Sequence, residues 1–159
     1  MKVKKSSGFT LIELLVTLAI LAVLAIMCIP MTQLAFQRHQ ERELRLALRE
    51  IRLAIDAYKR ASDEGKIIKE IGSTGYPRDL DVLVKGTVDQ RSPQRTKLYF
   101  LRRIPRDPFN ANSAISDSET WKIRSYSSEA DDPQEGDDVY DIYSSSTKVG
   151  LNGIPYKKW

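Results

Sequence analysis

The chain has 159 residues, of which 42% are hydrophobic and 29% charged, enough for one membrane segment and one small domain but not for a second sizeable core. Its formal charge is +4; three lysines, Lys2, Lys4 and Lys5, precede the first apolar run, so the remainder carries only +1 and a nucleic-acid-binding class loses its main support. Cys28 is the sole cysteine, which excludes an intrachain disulfide and a thiolate metal centre.

From Phe9 to Ile29 the sequence runs 21 residues with Glu13 as its one strongly polar member. A bilayer core about 30 Å thick needs about 20 apolar residues at 1.5 Å each, so the run is long enough to span as a helix. The lysines ahead of it predict a cytoplasmic N-terminus and place residues from Thr32 onward on the far side. A secretory signal peptide fits less well, because its apolar core is shorter, roughly 7 to 15 residues, and Val23-Leu24-Ala25, the nearest small-x-small triplet, lies inside the run. A lipoprotein signal needs small residues before Cys28, where Ile26 and Met27 stand. A plain signal anchor explains the span and gives no reason for Glu13.

Pro30 removes one backbone donor and crowds the turn before it, so a kink or local opening is expected there. Beyond it Leu44, Leu48, Ile51, Ile55 and Tyr58 recur at helical spacing, and Glu41/Arg45, Arg52/Asp56 and Asp56/Arg60 form i,i+4 pairs on positions read as exposed. This predicts an amphipathic helix over 32–64, stopped by Gly65, with its apolar stripe packed on the downstream domain. His39 has no second histidine to work with and reads as solvated.

Gly72 and Gly75 mark a turn; without a following Gly-Lys-Ser/Thr they do not make a phosphate loop. Residues 76–84 read as a short helix with Pro77 in its first turn and Gly86 behind it. Residues 97–109 join an apolar segment to two prolines, with their basic side chains on a solvated rim. Residues 121–127 and 138–144 alternate apolar and polar positions, predicting an antiparallel hairpin. The loop between them carries most of the local acid, and Tyr156 and Trp159 are expected to fold the tail back on the domain. The fold class is therefore α+β: a long N-terminal helix, half membrane-spanning and half amphipathic, packed on a small C-terminal domain with a short antiparallel sheet. One histidine, one cysteine and no acid pair on a recognisable scaffold leave no nucleophile and base, so the chain reads as a non-enzyme.

Lys4-Lys5-Ser6-Ser7-Gly8-Phe9-Thr10-Leu11-Ile12-Glu13-Leu14-Leu15-Val16 resembles the class III signal of type IV pilins and type II secretion pseudopilins. The resemblance implies that a prepilin peptidase cuts after Gly8, that Phe9 becomes the N-methylated first residue, and that Glu13 binds the new amine of a neighbouring subunit during assembly. It also implies that the segment at Pro30 can lose helical order in a fibre. The order of later motifs, Tyr76-Pro77, the stretch from Tyr99 to Phe109, and Asp141-Ile142-Tyr143-Ser144, is similar to the major pseudopilins of type II secretion.

On that resemblance the chain divides into a removed leader (1–8), a transmembrane helix (9–31), an amphipathic helix (32–64) and a periplasmic globular region (65–159). The implied protein is a single-pass inner-membrane protein with a cytoplasmic N-terminus. Its implied function is that of a structural subunit of a pseudopilus fibre that helps export folded proteins. The alternative is a type IV pilus subunit for adhesion, motility or DNA uptake, although such pilins usually close a loop near their end with a disulfide that Cys28 alone cannot make. A third class, an ordinary single-pass anchor bearing a binding module, leaves the Gly8-Phe9 and Glu13 arrangement to coincidence. Implied partners are further copies of the chain, the prepilin peptidase, an inner-membrane assembly platform with its ATPase, and minor pseudopilins; no nucleic acid is expected.

The family binds Ca²⁺ in the loop after the Asp-Ile-Tyr-Ser strand, and here residues 145–159 offer no carboxylate to an ion that takes 6 to 8 oxygens. Glu129, Asp131, Asp132, Glu135, Asp137, Asp138 and Asp141 precede that loop without the Asp-x-Asp-x-Asp-Gly spacing and read as a solvated acidic segment. No cofactor is assigned, and Ca²⁺ is left open.

Overall fold

A computed structural model describes the backbone of residues 8–159, and the side chains of these except residues 26–31. The chain divides into two compact units, residues 1–39 and 40–159. A single α-helix, α1 (Leu11–Asp63), crosses that division.

The expected break at Pro30 does not end the helix, since α1 is helical on both sides of it and through it. A proline costs one i→i−4 bond and crowds one turn, while the adjoining turns keep their own bonds. The side chain of Pro30, like that of Cys28, lies outside the described residues. The predicted span over 9–31 is also only partly described: its side chains are placed as far as Ala25, and among the described residues no helix is long and apolar enough to cross a membrane.

In the second unit the predicted stripe is the core. Leu44, Leu48, Ile51 and Ile55 are buried, Tyr58 packs at the margin, and Leu80, Leu83, Leu101, Ile104, Trp121, Val139, Ile142 and Tyr156 close over them. Each such side chain contributes roughly 1.5 to 3 kcal/mol on leaving water. The helix stops as expected: Gly65 takes φ +71°, its N–H bonds the carbonyl of Ser62 and that of Lys66 the carbonyl of Ala61, the paired bonds of a Schellman end.

The charged face differs from the expectation at two places. Glu41 is buried, and Arg45 reaches it only at 4.0 Å. Arg52 turns away from Asp56 to Asp141, 2.7 Å away, and donates to the carbonyls of Ile142 and Trp159 at 3.1 and 2.8 Å. A long guanidinium that can satisfy two carbonyls and a carboxylate at once gains more than from one exposed neighbour on its own helix.

The following helix, α2 (Asp81–Lys85), is shorter than predicted and does not contain Pro77. The carbonyl of Pro77 is held instead by the N–H of Val139 at 2.7 Å, so helical turns begin only once Asp79 Oδ1 accepts the N–H of Val82 at 2.9 Å. Gly86 ends α2 with φ +74°, and a Cβ there would stand 2.8 Å from the ring of Tyr99. Strands β1 (Thr87–Val88) and β2 (Lys97–Leu98), not foreseen from the sequence, pair antiparallel.

The predicted hairpin forms from β3 (Trp121–Arg124) and β4 (Asp141–Ser144), antiparallel with Ile123 opposite Ile142. It is shorter than the alternating pattern. Ser125 leaves the ladder because its N–H bonds the carbonyl of Gln134 and its hydroxyl bonds Asp138 at 2.8 Å. The fold class is thus as expected, a long N-terminal helix on a small C-terminal domain, with two short antiparallel sheets rather than one.

Candidate functional site

Gly8, Phe9 and Thr10 precede the helix as exposed, non-helical backbone, and Phe9 is 79% exposed. A Cβ built on Gly8 meets nothing within 4 Å and its φ is not in the left-handed region. The local conformation therefore does not require glycine. An exposed, non-helical bond between a small residue and an aromatic one is one that a peptidase can engage.

Thr10 then starts the helix. Its carbonyl accepts the N–H of Leu14 at 3.1 Å, and its Oγ1 accepts the N–H of Glu13 at 3.3 Å. Thr-x-x-Glu at a helix start is the spacing of a capping box, of which the structure shows the Thr10 half, its Oγ1 holding the backbone N–H of Glu13. The carboxylate also sits in the first turn, where the helix dipole favours negative charge.

From Leu11 to Leu24 the large apolar side chains are all more than half exposed, on every side of the helix. An apolar surface of this kind marks a lipid or protein interface. The structure thus places Gly8, Phe9 and Glu13 within six consecutive residues at the start of one helix, with Pro30 well along it.

The acids of the 128–141 segment are not gathered, and among the described residues no group of three or more His, Cys, Asp or Glu stands where it could hold a metal ion. Asp141 faces Arg52 and, at 3.6 Å, Arg124; Glu135 lies 3.7 Å from Lys122. Asp138, 7% exposed, accepts the hydroxyls of Thr74 and Ser125 and the N–H of Tyr126. Burial acts to raise its carboxyl, and those three donors outweigh it, leaving Asp138 below its ordinary value.

A depressed carboxyl stabilises the folded state fully above its unfolded value, about 3.9, and loses that contribution as pH falls through the folded value. Asp138→Asn is therefore expected to cost about 1 to 3 kcal/mol at neutral pH, with the difference from the wild type closing in acid. Urea unfolding at two pH values, followed by tryptophan fluorescence, checks this; a gap that persists in acid would remove the ionised carboxyl from the account.

Sequence reasoning missed two buried carboxylates. Asp107 Oδ2 accepts the hydroxyl of Ser144 at 2.6 Å, and the N–H of Asp107 bonds Thr120 Oγ1 at 3.2 Å. Glu41 Oε1 accepts the N–H of Leu151 at 2.7 Å and the hydroxyl of Tyr156 at 3.0 Å. As expected, the tail folds back: Tyr156 is fully buried and stacks on Phe109, with centroids 4.0 Å apart. Periodicity gives no sign of such groups, because each partner is remote in sequence.

Fold and site together define a class: a chain led by one long helix whose first turns expose large apolar side chains, with an exposed Gly8-Phe9 bond before it and a small α+β domain after it. Residues 3–29 match the family model of the prokaryotic N-terminal methylation motif, which supports a pilin-like family and indicates a type IV pilin-like subunit processed at its N-terminus. No curated protein and no solved structure matches the chain.

Proposed function

We propose that the chain is a structural subunit of a type II secretion pseudopilus, drawn from the inner membrane into a fibre that helps export folded proteins. The observation that carries this reading is the exposed Gly8-Phe9 bond standing directly before a Thr10-capped apolar helix that contains Glu13. Cleavage after Gly8 frees a cationic amine at Phe9, four residues before Glu13. In a fibre each amine then meets the Glu13 carboxylate of another copy, which partners two otherwise costly charges and fixes the axial register of adjacent helices.

The span over 9–31 anchors the chain with residues 1–8 in the cytoplasm and the globular region in the periplasm. Pro30 supplies a weak turn at which the rod can extend. The remaining partners of this reading are the prepilin peptidase, the assembly platform and its ATPase, and minor pseudopilins. No resident cofactor is assigned. A type IV pilus subunit shares the whole N-terminal machinery; the single cysteine, which cannot close a loop with a disulfide, favours the secretion fibre.

Mass spectrometry of the polymer extracted from membranes is expected to show a chain that begins at methylated Phe9. Residues 1–8 still attached in functional polymer would overturn the reading. Deleting the chain is expected to abolish export of specific proteins while leaving surface pili; loss of pili with export intact would instead assign the pilus role.

A further inference from the structure

A groove of about 490 Å³ runs beside α1 under the folded-back tail. Its apolar walls include Leu53, 55% exposed, and Ile154, 46% exposed, beside Trp159. Four cations border it, Arg45, Arg49, Arg52 and Lys158, against one acid, Asp56. Arg52 is occupied by Asp141 and Arg45 stands 4.0 Å from Glu41. Arg49 and Lys158 make no ion pair among the described residues, so the groove offers two exposed, uncompensated cations over an apolar floor.

The same chain carries a segment of matching character. Glu129, Asp131, Asp132, Glu135 and Asp137 are exposed, with Ala130 and Pro133 between them. Glu135 lies near Lys122 and Asp132 accepts the amide of Gln134, whereas Glu129, Asp131 and Asp137 make no ion pair among the described residues.

We propose that the groove of each copy receives the acidic loop, residues 129–137, of a second copy, with Arg49 and Lys158 facing its carboxylates and Leu53 and Ile154 its alanine and proline. This rests on the assembly reading above and adds to it a contact between globular domains.

The loop is fastened through Asp138 to Thr74, next to Gly75, whose Cβ position touches Ser62 and Lys59 of α1. The groove lies along Arg45 to Asp56, and Arg52 within it is already taken by Asp141 at the base of the same hairpin. Loop and groove are different surfaces, so their contact is heterologous: each copy gives its loop to one neighbour and its groove to another, which propagates rather than closes. That is the symmetry of a fibre.

The test uses the full chain in cells that process and assemble it. Arg49→Glu with Lys158→Glu sets like charges against the loop and is expected to lower the assembled fraction about tenfold. The amount in the membrane and the urea midpoint by tryptophan fluorescence are expected to stay unchanged. Adding Glu129→Lys and Asp131→Lys to the same chain is expected to restore assembly. Independently, Lys158→Cys with Asp131→Cys should give an oxidation-dependent ladder of copies, absent from either single variant and from the chain with Cys28 alone.

Assembly unaffected by the reversal, no restoration by the compensating pair, no ladder, or cross-linking to a protein other than a second copy would each overturn the assignment. If the unaltered chain forms no polymer, it is the assembly reading that fails. If polymer forms equally with and without the reversal, only the groove is wrongly assigned.

Discussion

Replacing Glu13 by Gln is expected to abolish fibre assembly as fully as replacing it by Leu, with both variants remaining in the membrane fraction. Two roles compete at this residue. As the third helical residue after Thr10, Glu13 gives its backbone N–H to the Thr10 hydroxyl, which any residue keeps, and sets its carboxylate in the first turn, where the helix dipole favours it. Losing that dipole interaction costs about 0.3 to 1 kcal/mol.

As the counter-charge to the amine of Phe9 in another copy, by contrast, only the ionised side chain will do. Removing one partner from a buried ion pair leaves the other uncompensated, at about 3 to 5 kcal/mol, a hundredfold or more in an association constant. Glu13→Leu also removes a carboxylate whose insertion cost, near the end of the span, lies below the about 2.5 to 3.5 kcal/mol of a helix centre, so its level in the membrane should not fall. Fibre yield after shearing, set against the membrane-bound amount by immunoblot, separates the roles. A Gln variant that assembles like the wild type would leave Glu13 with a local role at the helix start alone.

Glu41→Leu is expected to be the most damaging single change in the globular unit, at about 2 to 5 kcal/mol. The leucine would leave the N–H of Leu151 and the hydroxyl of Tyr156 without the oxygen that now accepts both, and a buried polar group stripped of its partner costs about 1 to 3 kcal/mol. Glu41→Gln keeps an acceptor and should cost about 1 kcal/mol, as should Tyr156→Phe, which removes one donor and keeps the ring stacked on Phe109.

Both tryptophans, Trp121 and Trp159, lie in this unit, so urea unfolding of the detergent-solubilised chain by intrinsic fluorescence reads it directly. The Glu41→Leu and Tyr156→Phe pair should be non-additive, since the two residues share one bond. A Glu41→Leu midpoint equal to that of the wild type would show that the tail is held by its ring contacts alone.

Glu41 also marks where one-dimensional reading gave out. Its i,i+4 spacing to Arg45 suggested an exposed helix pair, and spacing is all a single helix can specify. What buries it is a tail more than a hundred residues away, whose amide and phenol need an acceptor. Arg52 was drawn from Asp56 to Asp141 for the same reason, and Asp107, to which no role had been given, accepts the hydroxyl of Ser144. The two-residue strands β1 and β2 leave too short a pattern for any period to register, and the hairpin was shortened because Asp138 captured Ser125.

By itself the sequence determined the features that depend on neighbours along the chain. These are the apolar run and its leading lysines, the Gly8-Phe9 and Thr10-Glu13 arrangement, the stripe from Leu44 to Ile55, the stop at Gly65 and the alternation of the hairpin. Each comes from a helical or strand period, or from a backbone preference, that acts within a few residues. Tertiary structure alone decided which charges are buried, which carboxylate holds which donor, and that a basic groove lies between α1 and the folded-back tail. Desolvation and hydrogen bonding depend on what the folded chain brings alongside, and no local pattern encodes that.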